Sequence, residues 1–340
     1  MRQTDKPGFR FDRRQMLVAA AAALGSGRMA SAEPEVTQPR VSQSACPLQT
    51  IRPVASDGHK GLALLRKPPG KGPFPAVVIL HGDIISLPLP ALQQLALDAA
   101  TTCRFLAAGY VVVVSDYRSR NIDPQSPEAL TDCLATVEYV HKLPYVDSAS
   151  LVVYGCSGGG DLTLQVAGKT KLACMIAEEP ATMLTSGMFN KATPRGGDVY
   201  TPFDSRFMMA KPKQFDKPEF QKILKTKVAR IDCPIMIIQG DVDRKEMPIN
   251  SFNAEILIPE LRSSGRKFIV KSYPGQNHCF CMGSGLPPSP IEKMIYSSFP
   301  PSWARQARAA FRDMDGFCRM HVKRQPRKLD LALITEVAAS

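Results

Sequence analysis

Three residue types that together make a nucleophilic hydrolase occur here in a telling order. Ser157 sits in Gly155-Cys156-Ser157-Gly158-Gly159, a G-x-S-x-G pentapeptide between a buried apolar run (Leu151–Tyr154) and a helical one (Leu162–Ala167). Small flanking residues suit a sharp strand-to-helix turn, where a side chain would collide with either element and where the serine hydroxyl is lifted to the sheet edge. Asp243 follows the apolar strand Cys233–Ile238 through Gly240, and His278 follows the strand Lys267–Ser272. In this order of nucleophile, acid and base, His278 takes the Ser157 proton while a carboxylate holds the imidazole tautomer. Asp243 is favoured over Asp241 as that carboxylate, with Glu178 or Glu179 after the preceding strand as more remote candidates. The oxyanion that forms needs N–H donors, read here as Gly158 and, in the His81-Gly82-Asp83 loop, Asp83.

These residues must be held by strands that alternate with helices. Buried strands are expected at Leu62–Arg66, Ala76–Leu80, Val111–Ser115, Leu151–Tyr154, Lys171–Ala177, Cys233–Ile238 and Lys267–Ser272. Helices are expected at Pro90–Ala108, from Pro127 to about Leu143, at Ile249–Ser264 with a kink at Pro259, and at Trp303–His321. That rhythm predicts an α/β fold with a mostly parallel, doubly wound sheet. The stretch 181–230, rich in Met, Phe, Pro, Gly and Lys, breaks it and is read as an inserted cap. The hydrolase domain then spans 47–321, after a flexible leader at 33–46 and before a basic C-terminal tail at 322–340.

The first 32 residues read as a targeting segment. Arg13-Arg14 precedes the Ala-rich run Val18–Leu24 and then Ala30-Ser31-Ala32, a pattern of charged region, short apolar core and small-residue cleavage site. The arginine pair matches a twin-arginine (Tat) signal, so the expected partner is the Tat export machinery and the expected location is periplasmic or secreted. Removal of 1–32 lowers the net charge from +12 to about +8. The basic residues are spread without aromatic interleaving, so no nucleic-acid partner is expected, and no run is long and apolar enough for a stable membrane span. Nine cysteines lie beyond the signal, none in a C-x-x-C pair with metal-ligand spacing. No metal and no cofactor is expected.

Taken together, His81-Gly82, Asp116-Tyr117-Arg118, Gly155-x-Ser157-x-Gly159-Gly160, Gly240-x-x-Asp243 and Tyr273-Pro274-Gly275-x-x-His278 resemble the α/β-hydrolase superfamily. The resemblance is to its dienelactone hydrolase and prolyl-oligopeptidase catalytic-domain branch. It implies an α/β-hydrolase fold and cleavage of a small-molecule ester, with a serine exopeptidase or amidase, or a non-catalytic binding protein, as the other readings. Asp83 stands where many relatives have glycine, and Ser157 where dienelactone hydrolases carry cysteine. A more local pattern, Cys156-Ser157, Asp243 and His278-Cys279, resembles tannases and fungal-type feruloyl esterases. That likeness implies a disulfide between Cys156 and Cys279 and raises phenolic esters as the substrate class.

Overall fold

In the computed structural model the described residues are 37–82, 86–118, 127–187, 212–241, 249–276, 278–281 and 303–338. The expected signal segment lies outside them, as do Asp83, Asp243 and the middle of the expected cap.

Chain order begins with strands β1 (Thr37–Val41), β2 (Gln49–Ile51), β3 (Ala63–Arg66) and β4 (Phe74–Leu80), then helices α1 (Leu89–Asp98) and α2 (Ala100–Ala108). There follow β5 (Val111–Ser115), α3 (Pro127–His141), β6 (Val146–Cys156), α4 (Gly158–Ala167), β7 (Cys174–Glu178), the short α5 (Thr182–Thr185) and α6 (Pro218–Val228). The rest is β8 (Ile235–Gly240), α7 (Ile249–Phe252), a π-helical turn (Asn253–Leu257), α8 (Ile258–Ser263), β9 (Phe268–Tyr273), α9 (Trp303–His321) and β10 (Ile334–Ala338).

Eight strands form one sheet in the order β2-β3-β5-β4-β6-β7-β8-β9, parallel from β5 to β9 with β2 and β3 antiparallel at one edge. The parallel strands are apolar without alternation because both faces are covered. Successive side chains point to opposite faces. Thus Val77, Ile79, Val152, Tyr154, Ile176, Met236 and Ile238 join one core with α1, α2 and α9. Ala76, Val78, Leu151 and Val153 face the other way onto α3, and Met175, Ala177, Ile235 and Ile237 onto α6 and the π turn.

Three expectations are corrected by these elements. The helix expected over Pro90–Ala108 is two helices, because Ala99 is extended (φ −62°, ψ 133°). The break re-aims α2 so that Thr101 Oγ1 donates to the Cys281 carbonyl at 2.5 Å. The kink at Pro259 is absorbed one turn earlier: proline cannot donate to the carbonyl four residues back, and the π turn Asn253–Leu257 ends just before it. The leader and tail are not both loose, since β1 and β10 pair antiparallel from Thr37↔Ala338 to Val41↔Ile334. Sequence periodicity did not reveal this because each segment lacks its partner locally.

The buried Arg66 ties the incoming leader down, donating from Nε to Cys46 O (3.0 Å) and from Nη2 to Val41 O (2.7 Å). The outgoing tail is clamped at α2, where Leu329 N donates to Ala107 O at 2.9 Å. Gly109 ends α2 in a left-handed conformation (φ 103°), and a Cβ there would lie 2.0 Å from the Arg327 carbonyl oxygen. Neither the φ nor the clash leaves room for a side chain. Gly109→Ala is expected to cost about 2 kcal/mol or more and to lower Tm by roughly 4–8 °C. Thermal denaturation checks it, and an unchanged Tm would mean that the tail does not pack there.

Candidate active site

The sheet order brings the C-terminal ends of β6, β7, β8 and β9 side by side. Ser157 leaves β6 and opens α4 with φ 52° and ψ −116°, a conformation that is strained for any residue with a Cβ. Its neighbours are small because nothing larger fits: a Cβ on Gly155 would lie 2.4 Å from Gly159 O, and one on Gly159 would lie 2.2 Å from His81 O. The strain is held by backbone bonds. Ser157 N donates to Glu178 O (2.9 Å), while Asp161 N and Ala181 N both donate to Ser157 O at 3.0 Å. Gly158 is the first residue of α4, where amides have no partner within the helix and are available to an anion.

The loop after β4 lies against this turn. A Cβ on Gly82 would stand 3.1 Å from Cys156 Sγ and 3.8 Å from Ser157 Cβ. His81 is buried and stacks on Tyr117 with ring centroids 4.2 Å apart. Its Nε2 lies 3.2 Å from Asp116 Oδ1, and the Tyr117 hydroxyl donates to His81 O at 3.1 Å. Asp116 also accepts from Ser86 Oγ (2.6 Å) and Leu87 N (2.9 Å). Burial opposes ionisation of Asp116, but the donors of His81, Ser86 and Leu87 outweigh it and its pKa falls below the usual carboxylate value. His81 thus supports the loop.

The carboxylate that meets His278 comes from the end of β7. Glu179, fully buried and with φ 43°, places Oε2 2.8 Å from Nδ1 of His278. The same Oε2 accepts the Cys279 amide, and Oε1 accepts Gly240 N (2.8 Å) and Asn250 Nδ2 (3.2 Å). Both oxygens are therefore saturated with donors, which fixes the side chain against the imidazole. Nε2 of His278 is buried and has no hydrogen-bond partner among the described residues, which leaves it open to exchange a proton with a hydroxyl or a leaving group. Asp243, the acid favoured from sequence, lies outside the described residues, whereas Asp241 is bound to the backbone, accepting from Gly275 N at 2.6 Å. Among the described non-glycine residues only Ser157, Glu179 and Cys279 have positive φ, and all three belong to this site.

The turn that carries His278 is held on both sides. Besides Thr101, it is gripped by Glu178, whose Oε1 accepts Cys281 N at 2.7 Å and whose Oε2 accepts the Tyr154 hydroxyl. Cys156 and Cys279 meet through a side-chain hydrogen bond, which brings the neighbour of Ser157 against the neighbour of His278. All nine cysteines are free thiols, so the expected Cys156–Cys279 disulfide is absent. The two sulfurs contact as donor and acceptor and do not reach the bond length of ~2.05 Å that a bridge requires. Glu179, His278 and Cys279 also bring ligand-type atoms within 4.8 Å of one another. The 2.8 Å imidazole–carboxylate contact among them is an ordinary charge-assisted hydrogen bond.

An elbow serine, a paired histidine and a buried carboxylate at the ends of a mostly parallel eight-stranded sheet define an α/β-hydrolase-fold protein of the serine-hydrolase type. The chain belongs to the prolyl oligopeptidase family, whose sequence signature covers residues 98–287 and so spans the elbow, Glu179 and His278. Solved structures of similar fold include esterases and a puromycin-hydrolyzing peptidase of Mycobacterium tuberculosis, which shares 17% identity with a TM-score of 0.55 over 83% of this chain and 40% of its own. Esterase Est22 shares 15% identity with a TM-score of 0.57 over 82% of this chain and 81% of its own. Carboxyl esterase 2 of the fungus Tuber melanosporum shares 19% with a TM-score of 0.54 over 92% of this chain and 100% of its own. At such identities the likeness is one of fold. The quorum-quenching protein AidA of Acinetobacter baumannii is 30% identical over 135 residues, which is 37% of this chain and 42% of AidA. The chain thus matches less than half the length of that relative.

Proposed function

We propose that the protein is an exported carboxylic-ester hydrolase working through an acyl-enzyme on Ser157. The observation that carries the reading is the pair of half-buried His278 and fully buried Glu179, 2.8 Å apart beside the strained elbow. Ser157 Oγ attacks the ester carbonyl carbon as Nε2 of His278 takes its proton. Glu179 keeps the neutral imidazole protonated on Nδ1 and stabilises the imidazolium that follows. The oxyanion rests on Gly158 N–H and a second amide proposed at Asp83, a donor of the kind worth about 3 kcal/mol of barrier. Collapse expels the alcohol, which leaves with the proton from His278, and a water activated by the same histidine releases the acid. Asp243 is the rival for the orienting role.

The twin-arginine signal read at residues 1–32 supports export, and the Cys156-Ser157 and His278-Cys279 neighbours support aromatic esters as substrates. The family's name favours one other reading, a peptidase. A panel of aryl acetates, feruloyl esters, lactones and dipeptide naphthylamides separates them. The esters are expected to be cleaved with kcat/KM orders of magnitude above the amides. Faster turnover of the naphthylamides would overturn ester specificity, and a preference for lactones would redefine the ester class.

A further inference from the structure

Glu178 and Glu179 are consecutive, both fully buried, and both end on the same four-residue turn. Strand geometry sends neighbouring side chains to opposite faces, yet here the left-handed backbone of Glu179 lets the pair reach alternate amides, Cys279 through Glu179 and Cys281 through Glu178. We propose that Glu178 is a positioning residue for His278: it clamps the far end of the His278–Cys281 turn and places a second carboxylate behind the His278–Glu179 pair. This rests on His278 being the base.

A plain core acceptor would not need to be acidic. Tyr154 could satisfy its hydroxyl on a backbone carbonyl, and a buried carboxylate carries a large desolvation cost. The groups that face Glu178 from the packed elements are Tyr154 and Cys156 of β6, Glu179, Cys279 and Cys281 of the turn, and Arg104 of α2, which acts on Cys281. Glu178 is pushed up to about 7, first by burial and then by the Glu179 charge, against the bonds from Tyr154 and Cys281. It therefore ionises in the range where a histidine base is used.

Two consequences have opposite signs. A second negative charge behind the pair favours the imidazolium, so the ionised form supports a stronger base above pH 7. For stability, the unfolded carboxyl gives up its proton near 4.5 while the folded one keeps it to about 7. The stability tied to this proton is complete below 4.5 and is lost as pH rises to about 7.

The test compares wild type with Glu178→Gln, which retains an acceptor for Cys281 N–H but stays neutral. Activity on an aryl ester and Tm are both followed from pH 5 to 9. Glu178→Gln is expected to match wild type near pH 5.5 and to fall behind roughly three- to tenfold in kcat at pH 8, the lower range of coupling between neighbouring groups. KM should be unchanged, and the decline of Tm between pH 5 and 7 should flatten. If Glu178→Gln fails to fold, Tyr154→Phe serves instead: it removes a bond to the carboxylate and should shift the activity profile to higher pH. Profiles that superimpose on wild type in rate and in Tm would overturn the proposal, as would an equal loss of kcat at every pH. The Tm arm, repeated in Ser157→Ala protein, reads Glu178 without any catalysis, so failure of the hydrolase reading remains distinguishable.

Discussion

Ser157→Ala is expected to remove hydrolysis of an activated aryl ester, with kcat falling by about 10⁴–10⁶, and to leave the protein folded. The scale follows from serine hydrolases in which loss of the nucleophile reduces the enzyme to binding and oxyanion stabilisation. The elbow is built by its glycines and by backbone bonds to Ser157 N and O, none of which involves the hydroxyl. Alanine keeps a Cβ at φ 52°, so the strain is neither relieved nor increased and Tm should move by less than about 1 kcal/mol would produce. Steady-state rates with far-ultraviolet circular dichroism on the same sample check this. A folded Ser157→Ala protein with full activity would remove Ser157 from the chemistry.

The second large effect is expected at Glu179. Each of its oxygens accepts from two donors, Gly240 N and Asn250 Nδ2 on one side and His278 Nδ1 and Cys279 N on the other. Glutamine has one oxygen, so whichever way the amide turns, its NH₂ group faces a pair of donors. Turned one way it leaves the imidazole without an acceptor; turned the other it disrupts the link to β8. Glu179→Gln should therefore lose about 10⁴ in kcat, as when a triad acid is neutralised, and about 1–3 kcal/mol of stability from unsatisfied buried groups. Asp243→Asn should stay within a few-fold of wild type, because Nδ1 offers a single N–H and Glu179 already accepts it. The reverse outcome, a crippled Asp243→Asn beside a near-normal Glu179→Gln, would return the orienting role to Asp243.

The contrast between these two acids shows what was legible in the chain. The elbow was, because its glycines answer to steric limits that leave a local trace. The buried strands were too: runs such as Ala76–Leu80 and Val111–Ser115 are apolar throughout because the sheet is covered on both faces. His278 followed from its place after the last strand of the main sheet. The acid was less so: spacing after Gly240 favoured Asp243, which lies outside the described residues, while the imidazole is met by Glu179, 99 positions earlier and read from sequence only as a remote candidate. A trace existed in Ala177-Glu178-Glu179-Pro180, two consecutive acids closing a wholly buried strand, which is costly unless both are engaged. The pairing of β1 with β10 was equally silent, because strands nearly three hundred residues apart share no local pattern.

The most direct measurement of the central claim is mass spectrometry of the wild-type protein after treatment with a fluorophosphonate. One phosphonyl group per chain is expected, mapped to the peptide bearing Ser157, with labelling slowed markedly in Glu179→Gln and absent in Ser157→Ala. No adduct on a folded, untreated-control-matched protein, or an adduct on a different residue with Ser157 unmodified, would contradict a serine hydrolase built on Ser157, His278 and Glu179.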